Sequence, residues 1–546
     1  MVDTTKSTFE APGPGQWALD RSHYPGGTTP ISEWLIVESM PAGLGRVFEE
    51  IGAPLSHIQP RFVNGFMYTR VWPLIGGDKP SGKLPPTPIL KIVARTHPEF
   101  RRRAKRAAAT MAERPSLAVV ERWDREIRPE LLAANHAFQE IDVASLDDAA
   151  LDHHVSDLLD HARTNFELHF WLHGHDLGPI ARYLYECIEW GLEPDEAITA
   201  LSGASPSTSR PIETLCQLRE LVEHAGAPVT SLDDVRAISP VAAELLDGYL
   251  ADRGEILATG YDLTSFRLSE LPGLVLSSIR SAQRPSTGNA DAIARRLREL
   301  VPPDGHDEFD EVLHDARAVM DMRDDNGPLT TEWPIGLLRR ALLEVGRRLV
   351  ARGDAHEPEH ALELERDEAR RALTGDHPTA DELAARASRR AELTSLEPPE
   401  TLGDTEAEPP PDILPRPLPK LVGMVQVSMK YMGMDGTGEA DNLTGAGVGT
   451  VSYTGRARTA ASADEAIESL EPGDVLVVRA TSPAFNAVLA LAGAVVTANG
   501  GPLSHAAVLS RELGIPAVVG ASGALSIPDG ATVEVDPVAG EVRIVG

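Results

Sequence analysis

Cysteine is nearly absent. The 546-residue chain holds two, Cys187 and Cys216, too few for the disulfide framework that supports small secreted folds. No apolar run is long enough to cross a bilayer. The polar, Pro- and Gly-rich start from Met1 to Gly15 lacks the basic and apolar regions of a signal peptide. Positive charge is also scarce: 51 Lys and Arg face 82 Asp and Glu, a formal net charge of −31. Such a surface repels nucleic acid and anionic lipid, so neither is expected as a partner. Together these absences point to a cytoplasmic protein. Aromatic residues make up only 5%, which suggests a core built largely of Leu, Ala and Val.

The length exceeds that at which one core stops growing, so about two to four domains are expected. Early on, Trp34–Val37 and Phe62–Tyr68 alternate in strand fashion, with turns at Pro25-Gly26-Gly27 and Asn64-Gly65. From Pro98 to Ser395 the pattern is mainly helical. Leu337, Leu338, Leu342, Val345 and Leu349 recur at helical spacing, and Arg339, Arg340, Glu344, Arg347 and Arg348 are expected on the other face. The acidic, Pro-rich stretch from Leu396 to Lys420 reads as an extended linker, and Gly433–Gly449 as a hinge. Three short apolar runs follow, Val475–Val478, Ala494–Thr497 and Ala517–Val519. A Gly-Gly turn and a short helix fill Asn499–Leu513 between the last two. Strand, helix, strand in that span predicts a βαβ unit.

That unit carries the chemistry. Its sequence from Val495 to Gly520 is VVTANGGPLSHAAVLSRELGIPAVVG. Ser504 suits a helix N-cap, which puts His505 in the first turn. Ala506, Leu509 and Leu513 form one apolar face, and Gly514 with Pro516 ends the helix. Unpaired amides and the positive end of the helix dipole favour a phosphoryl group there. Gly500 and Gly501 remove side chains where a phosphate must approach the backbone, so Gly500, Gly501 and Ser504 are the expected phosphate-binding residues. Neutral imidazole, with a reference pKa of about 6.5, attacks phosphorus without a separate base and forms a phosphoramidate.

Several other features carry less. The run Arg101, Arg102, Arg103, Lys105, Arg106 could meet an anionic ligand, although a solvated helix face is the plainer reading. Gly52-Ala53-Pro54-Leu55-Ser56-His57 copies part of the His505 string without its Gly-Gly or Ala-rich helix and reads as coincidence. Gly445–Gly449 reads as a turn before a strand. His153, His154, His161, His169, His173 and His175 invite a metal reading, but no HExxH glutamate is present and no metal is expected. They could instead line an acceptor pocket, one serving as a base toward a hydroxyl, and ordinary packing is the simplest account. Arg253 and Arg323 could clamp phosphate, yet arginines in helices are mostly solvated.

Gly-Gly-x-x-Ser-His-Ala-Ala-Val followed by Arg-Glu-Leu-Gly-Ile-Pro-Ala-Val-Val-Gly resembles the phosphohistidine signature of the PEP-utilising enzymes, the family of pyruvate phosphate dikinase, PEP synthase and rifampin phosphotransferase. The likeness extends over Leu443–Gly546, through Tyr453-Thr454-Gly455-Arg456-Ala457, Pro472-Gly473-Asp474-Val475-Leu476 and Thr481-Ser482-Pro483. It implies a swivelling domain that carries phosphate on His505 between separate sites. Gly15-Gln16-Trp17, Asp20, His23, Tyr24, Asn64–Tyr68, Gly260-Tyr261-Asp262 and Leu337–Gly353 resemble the acceptor-binding region of rifampin-phosphotransferase-like proteins. The expected architecture is multidomain α+β. Residues 1–395 form a mostly helical acceptor-binding region, with a mixed, strand-containing part over 1–95. A linker and hinge span 396–442, and an α/β phosphohistidine domain spans 443–546. No Gly-rich, Lys-bearing nucleotide segment is recognisable, and no PEP/pyruvate barrel follows. The resemblance therefore implies a split system, as in phenylphosphate synthase. ATP and Mg²⁺ would be bound by an ATP-grasp subunit in trans, and His505 would pass the phosphoryl group to a small-molecule hydroxyl. A phosphocarrier that regulates a partner, or a degenerate paralogue, is the alternative.

Overall fold

The computed structural model describes residues 8–545 apart from 21–22, 25, 80–81, 227, 285–289, 433–441, 462, 482–484 and 490. Most of the expected hinge, 433–441, therefore lies outside the described residues. The chain is multidomain α+β, as its sequence implies. Its packing separates two units that interleave along the chain. One comprises Met1–His175, Tyr261–Ser265 and Asn326–Gly423; the other comprises Asp176–Gly260, Phe266–Asp325 and Met424–Gly546. Among the described residues no helix is long and apolar enough to cross a membrane.

The first unit holds a four-stranded sheet in the order β2-β3-β1-β4, made of β1 (Trp17–Leu19), β2 (Leu55–Val63), β3 (Phe66–Pro73) and β4 (Thr401–Leu402). Asn64 and Gly65, both at positive φ, close the β2–β3 hairpin as their sequence predicts. Trp34–Val37, expected as a strand, lies instead within the helix Pro30–Ile51. Pro30 suits the first turn of that helix, and its buried residues Ile31, Leu35, Ser39, Gly43 and Val47 recur every four. A four-residue window cannot show that period. The stretch expected to be a linker is in part integral to the fold. β4 pairs with β1, Glu406 meets the buried Arg70 at 2.7 Å, and Leu418–Met432 is a helix.

The helical expectation for Pro98–Ser395 holds in outline, with one correction. Arg339 and Glu344 do not share a solvated face; both are buried on the helix Trp333–Arg352. Arg339 donates to the Leu263 carbonyl at 2.8 Å, and Glu344 accepts from Arg347 and Arg348. The basic run is mostly employed in structure. Arg102 and Arg103 bind Glu49 and Glu99, Arg103 is buried, and Arg106 reaches the Glu50 carbonyl. These bonds brace the helix Pro98–Glu113 against Pro30–Ile51.

The second unit is organised around a mixed seven-stranded sheet, order β11-β10-β6-β7-β8-β9-β5. Its strands are β5 (Ala446–Val448), β6 (Tyr453–Ala460), β7 (Val475–Val478), β8 (Ala494–Thr497), β9 (Ala517–Val519), β10 (Thr532–Asp536) and β11 (Glu541–Ile544). β6 to β9 run parallel, and β5 and β10 join antiparallel at either side. Gly445–Gly449, expected as a turn, thus contains a strand. All residues of β7, β8 and β9 are buried because both sheet faces are covered. The period-two alternation sorts them. Leu476, Val478, Val495 and Val519 join one cluster with Leu215, Leu246, Val275 and Ile279 from helices far earlier in the chain. Val475, Val477, Val496 and Val518 join the other with Val533, Val535 and Val542.

Candidate active site

His505 opens the helix His505–Leu513 between β8 and β9. Ser504, in extended backbone, starts it by accepting the Ala507 N–H on its hydroxyl, and Gly514 ends it at φ 69°. Just upstream the chain reverses at Gly500, whose φ is +118°. A Cβ there would lie 3.0 Å from the Ser504 hydroxyl oxygen, so glycine closes this turn against the cap. These residues stand at the carboxyl ends of parallel strands, where open α/β sheets place their ligands.

The His505 imidazole is half-buried, with Nδ1 3.0 Å from the Thr481 hydroxyl in the loop after β7. Burial, and after it the nearby Arg323 guanidinium, push its pKa down to about 3. The ring is therefore neutral near pH 7. With the proton on Nδ1 and donated to Thr481, the lone pair sits on Nε2.

Residues 470–540 match the family model of the PEP-utilising enzyme mobile domain. That segment is therefore similar to the mobile domain of PEP-utilising enzymes. It is 45% identical over 84 residues to the phosphoenolpyruvate synthase of Aeropyrum pernix, covering 15% of this chain and 10% of that protein. It is 27% identical over 250 residues to an uncharacterised phosphotransferase of Bacillus subtilis, covering 46% and 28%. Chondramide synthase of Chondromyces crocatus is 26% identical over 577 residues, 97% of this chain but 14% of the synthase. The chain spans less than a third of the length of the curated relatives it matches.

Within the PEP-utilising domain, Gly500, Gly501, Ser504 and His505 lie together, as expected from their order. Their roles in the turn differ. The Ser504 hydroxyl is a helix cap, the Ser504 amide bonds Gly501, and the Leu503 amide donates to the Tyr431 carbonyl at 2.7 Å. Arg323, expected to be mostly solvated, lies instead near His505, on the helix Met320–Gly327. With Leu201, Met320, Leu503, Val508 and Arg511 it lines a narrow cleft. Its Nη1 is buried with no hydrogen-bond partner among the described residues. Nothing in the run Asp321-Met322-Arg323-Asp324-Asp325 marks it, because only the packing brings it to the histidine. His57, the partial copy, lies on β2 rather than at a helix start.

The first unit has its own polar cluster. His23 Nδ1 lies 2.9 Å from the Asp20 carboxylate, whose charge raises the histidine pKa. Tyr24 is buried, and its hydroxyl has no partner among the described residues. The Tyr261 ring is 5.6 Å from that of His23 and 6.4 Å from that of Tyr24. His169 Nδ1 is 3.2 Å from both Asn326 Oδ1 and Thr330 Oγ1, and its ring meets His173 edge-on at 4.3 Å. Burial, then His173, hold the His169 pKa well below its usual value. Burial, then Asp262, push Glu33 up to about 7. Asp262 itself accepts from the Thr29 amide and hydroxyl, at 2.8 and 3.0 Å. Of the six clustered histidines, only His169 and His173 pair in this way; His153 is exposed, and His161 bonds Asn135 at 2.8 Å. Among the described residues no group of three His, Cys, Asp or Glu is placed to hold a metal ion.

Proposed function

We propose that the chain is the carrier component of a phosphotransferase, with His505 as the residue that holds the phosphoryl group. The observation that carries this is His505 itself: a neutral imidazole at a helix start, behind a glycine turn, with Nδ1 held by Thr481 and inside the matched mobile domain. Nε2 attacks phosphorus, and the bond to the donor oxygen breaks with its electron pair leaving on that oxygen. In the second step an acceptor hydroxyl oxygen attacks phosphorus. The P–N pair then returns to Nε2, and the hydroxyl proton goes to a base.

The donor in this reading is ATP with Mg²⁺, held by an ATP-grasp partner chain, as the resemblance to split phosphotransfer systems implies. The acceptor is a small-molecule hydroxyl bound by the first unit. The His23–Asp20 pair there has a raised pKa suited to receiving a proton, with the Tyr261 ring 5.6 Å from His23 and His169 close enough to feel its charge. Intact mass after incubation with MgATP, with and without the candidate partner, tests the proposal. One acid-labile phosphoryl group that requires both the partner and His505 is the expected result. No gain with any partner or with PEP overturns it.

A further inference from the structure

We propose that Arg323 is a phosphate-binding residue of the carrier site, its Nη1 donating to the phosphoryl group once that group is on His505. This rests on the carrier reading above. A phosphoryl group on a histidine brings close to two negative charges and three acceptor oxygens into a site that was neutral. Part of the turn around His505 is already engaged. The Ser504 hydroxyl caps the helix, the Ser504 amide bonds Gly501, and the Leu503 amide is spent on Tyr431. Arg511 donates both terminal nitrogens to the Pro502 carbonyl, at 3.3 and 3.4 Å.

Arg323 has donor capacity to spare. It lines the cleft beside Leu503 and Val508, the residues that flank the helix start, and its Nη1 is buried with no partner among the described residues. A buried guanidinium nitrogen without an acceptor is costly, and one near a site that takes up an anion is satisfied if it reaches that anion. Asp324 is close enough for its charge to feel Arg323 and Glu512 lines the same cleft, but neither is hydrogen-bonded to Nη1 among the described residues. Asp324 accepts from Thr208 at 2.9 Å, and Asp321 accepts from the Ser207 amide at 2.6 Å, both bracing the start of the helix Pro206–Ala225. The same charge serves before transfer, since a cation beside His505 disfavours its protonated form and preserves the nucleophile.

The test needs neither partner nor acceptor. Phosphoramidate phosphorylates the full chain directly: its P–N bond breaks with the electron pair leaving on ammonia, and Nε2 supplies the pair for the new bond. The acid-labile mass gain at His505 is then followed as it decays in wild type, Arg323→Gln, Arg323→Lys and Arg253→Gln. We expect roughly tenfold faster loss in Arg323→Gln, from removal of one charge-assisted bond. Arg323→Lys should fall in between. Arg253→Gln, whose parent side chain bonds the Ser207 carbonyl at 3.4 Å, should match wild type. Decay of folded Arg323→Gln at the wild-type rate overturns the proposal. If His505 takes up no phosphoryl group at all, the carrier reading fails, and inorganic phosphate decides the Arg323 site separately. A rise in wild-type Tm with phosphate that Arg323→Gln loses supports it, and an equal rise in both, or none in wild type, sinks it.

Discussion

His505 and His169 are both held neutral by burial, yet their surroundings suit opposite tasks. Around His505 the nearby charge is Arg323 and the backbone turns on a glycine. Around His23 the nearby charge is the Asp20 carboxylate, and the charged neighbours of His169 are His173 and His23. The first setting suits holding a dianionic phosphoryl group, and the second suits taking up a proton released from a hydroxyl. The comparison teaches that a neutral histidine is not in itself a phosphoryl acceptor; the sign of the surrounding charge and the space at the backbone decide.

The sharpest way to break that contrast is to remove each histidine in turn. His505→Ala should abolish the acid-labile mass gain, whereas His169→Ala should keep it, as intact-mass measurement after phosphorylation will show. Retained labelling in His505→Ala would end the distinction. Next in size is the turn. Gly500→Ala forces a side chain into a φ of +118° against Ser504 and should cost about 1–3 kcal/mol of stability in denaturant titration, with loss of labelling. Gly248→Ala, exposed in the helix Pro240–Arg253 with nothing within 4 Å of the added carbon, should instead gain about 0.5–1 kcal/mol.

The pH response sharpens the comparison further. With its pKa near 3, His505 stays neutral, so its phosphorylation rate should be nearly flat from about pH 5 to 8, where free imidazole would fall off below about 6.5. The linked stability runs the same way. The unfolded chain binds a proton near pH 6.5 that the folded site refuses, so stability drops as pH falls from there toward 3. His505→Gln should show a shallower acid limb in thermal melts. Smallest is the His23–Asp20 pair, which has the opposite sign. Its contribution is present below about pH 6.5 and is lost as pH rises through the raised folded pKa. Asp20→Asn should lower the His23 titration midpoint followed by NMR, with little effect on Tm because the histidine is 49% exposed.

The Ser504 cap, the helix to Leu513, and the strands at Val475–Val478, Ala494–Thr497 and Ala517–Val519 are all legible in the residues themselves, because caps, glycine stops and apolar runs act over a few neighbours. Trp34–Val37 misleads because strand alternation over four residues also fits one turn of a helix whose period shows only across Pro30–Ile51. Arg339 and Glu344 mislead for another reason: helical spacing assigns a face, but it cannot say that neighbouring segments cover that face and satisfy the charges there.

Local chemistry in the chain was thus sufficient to define the His505 turn and its parallel strands. Three things depended on residues distant in sequence meeting in space: the return of Thr401–Leu402 to pair with Trp17 and Ala18, the cover of the β7–β9 face by Leu215, Leu246 and Ile279, and the placing of Arg323 beside the histidine. No local propensity encodes such meetings. They are settled by which apolar faces find one another, and the polar groups carried along then find their partners or wait for a ligand.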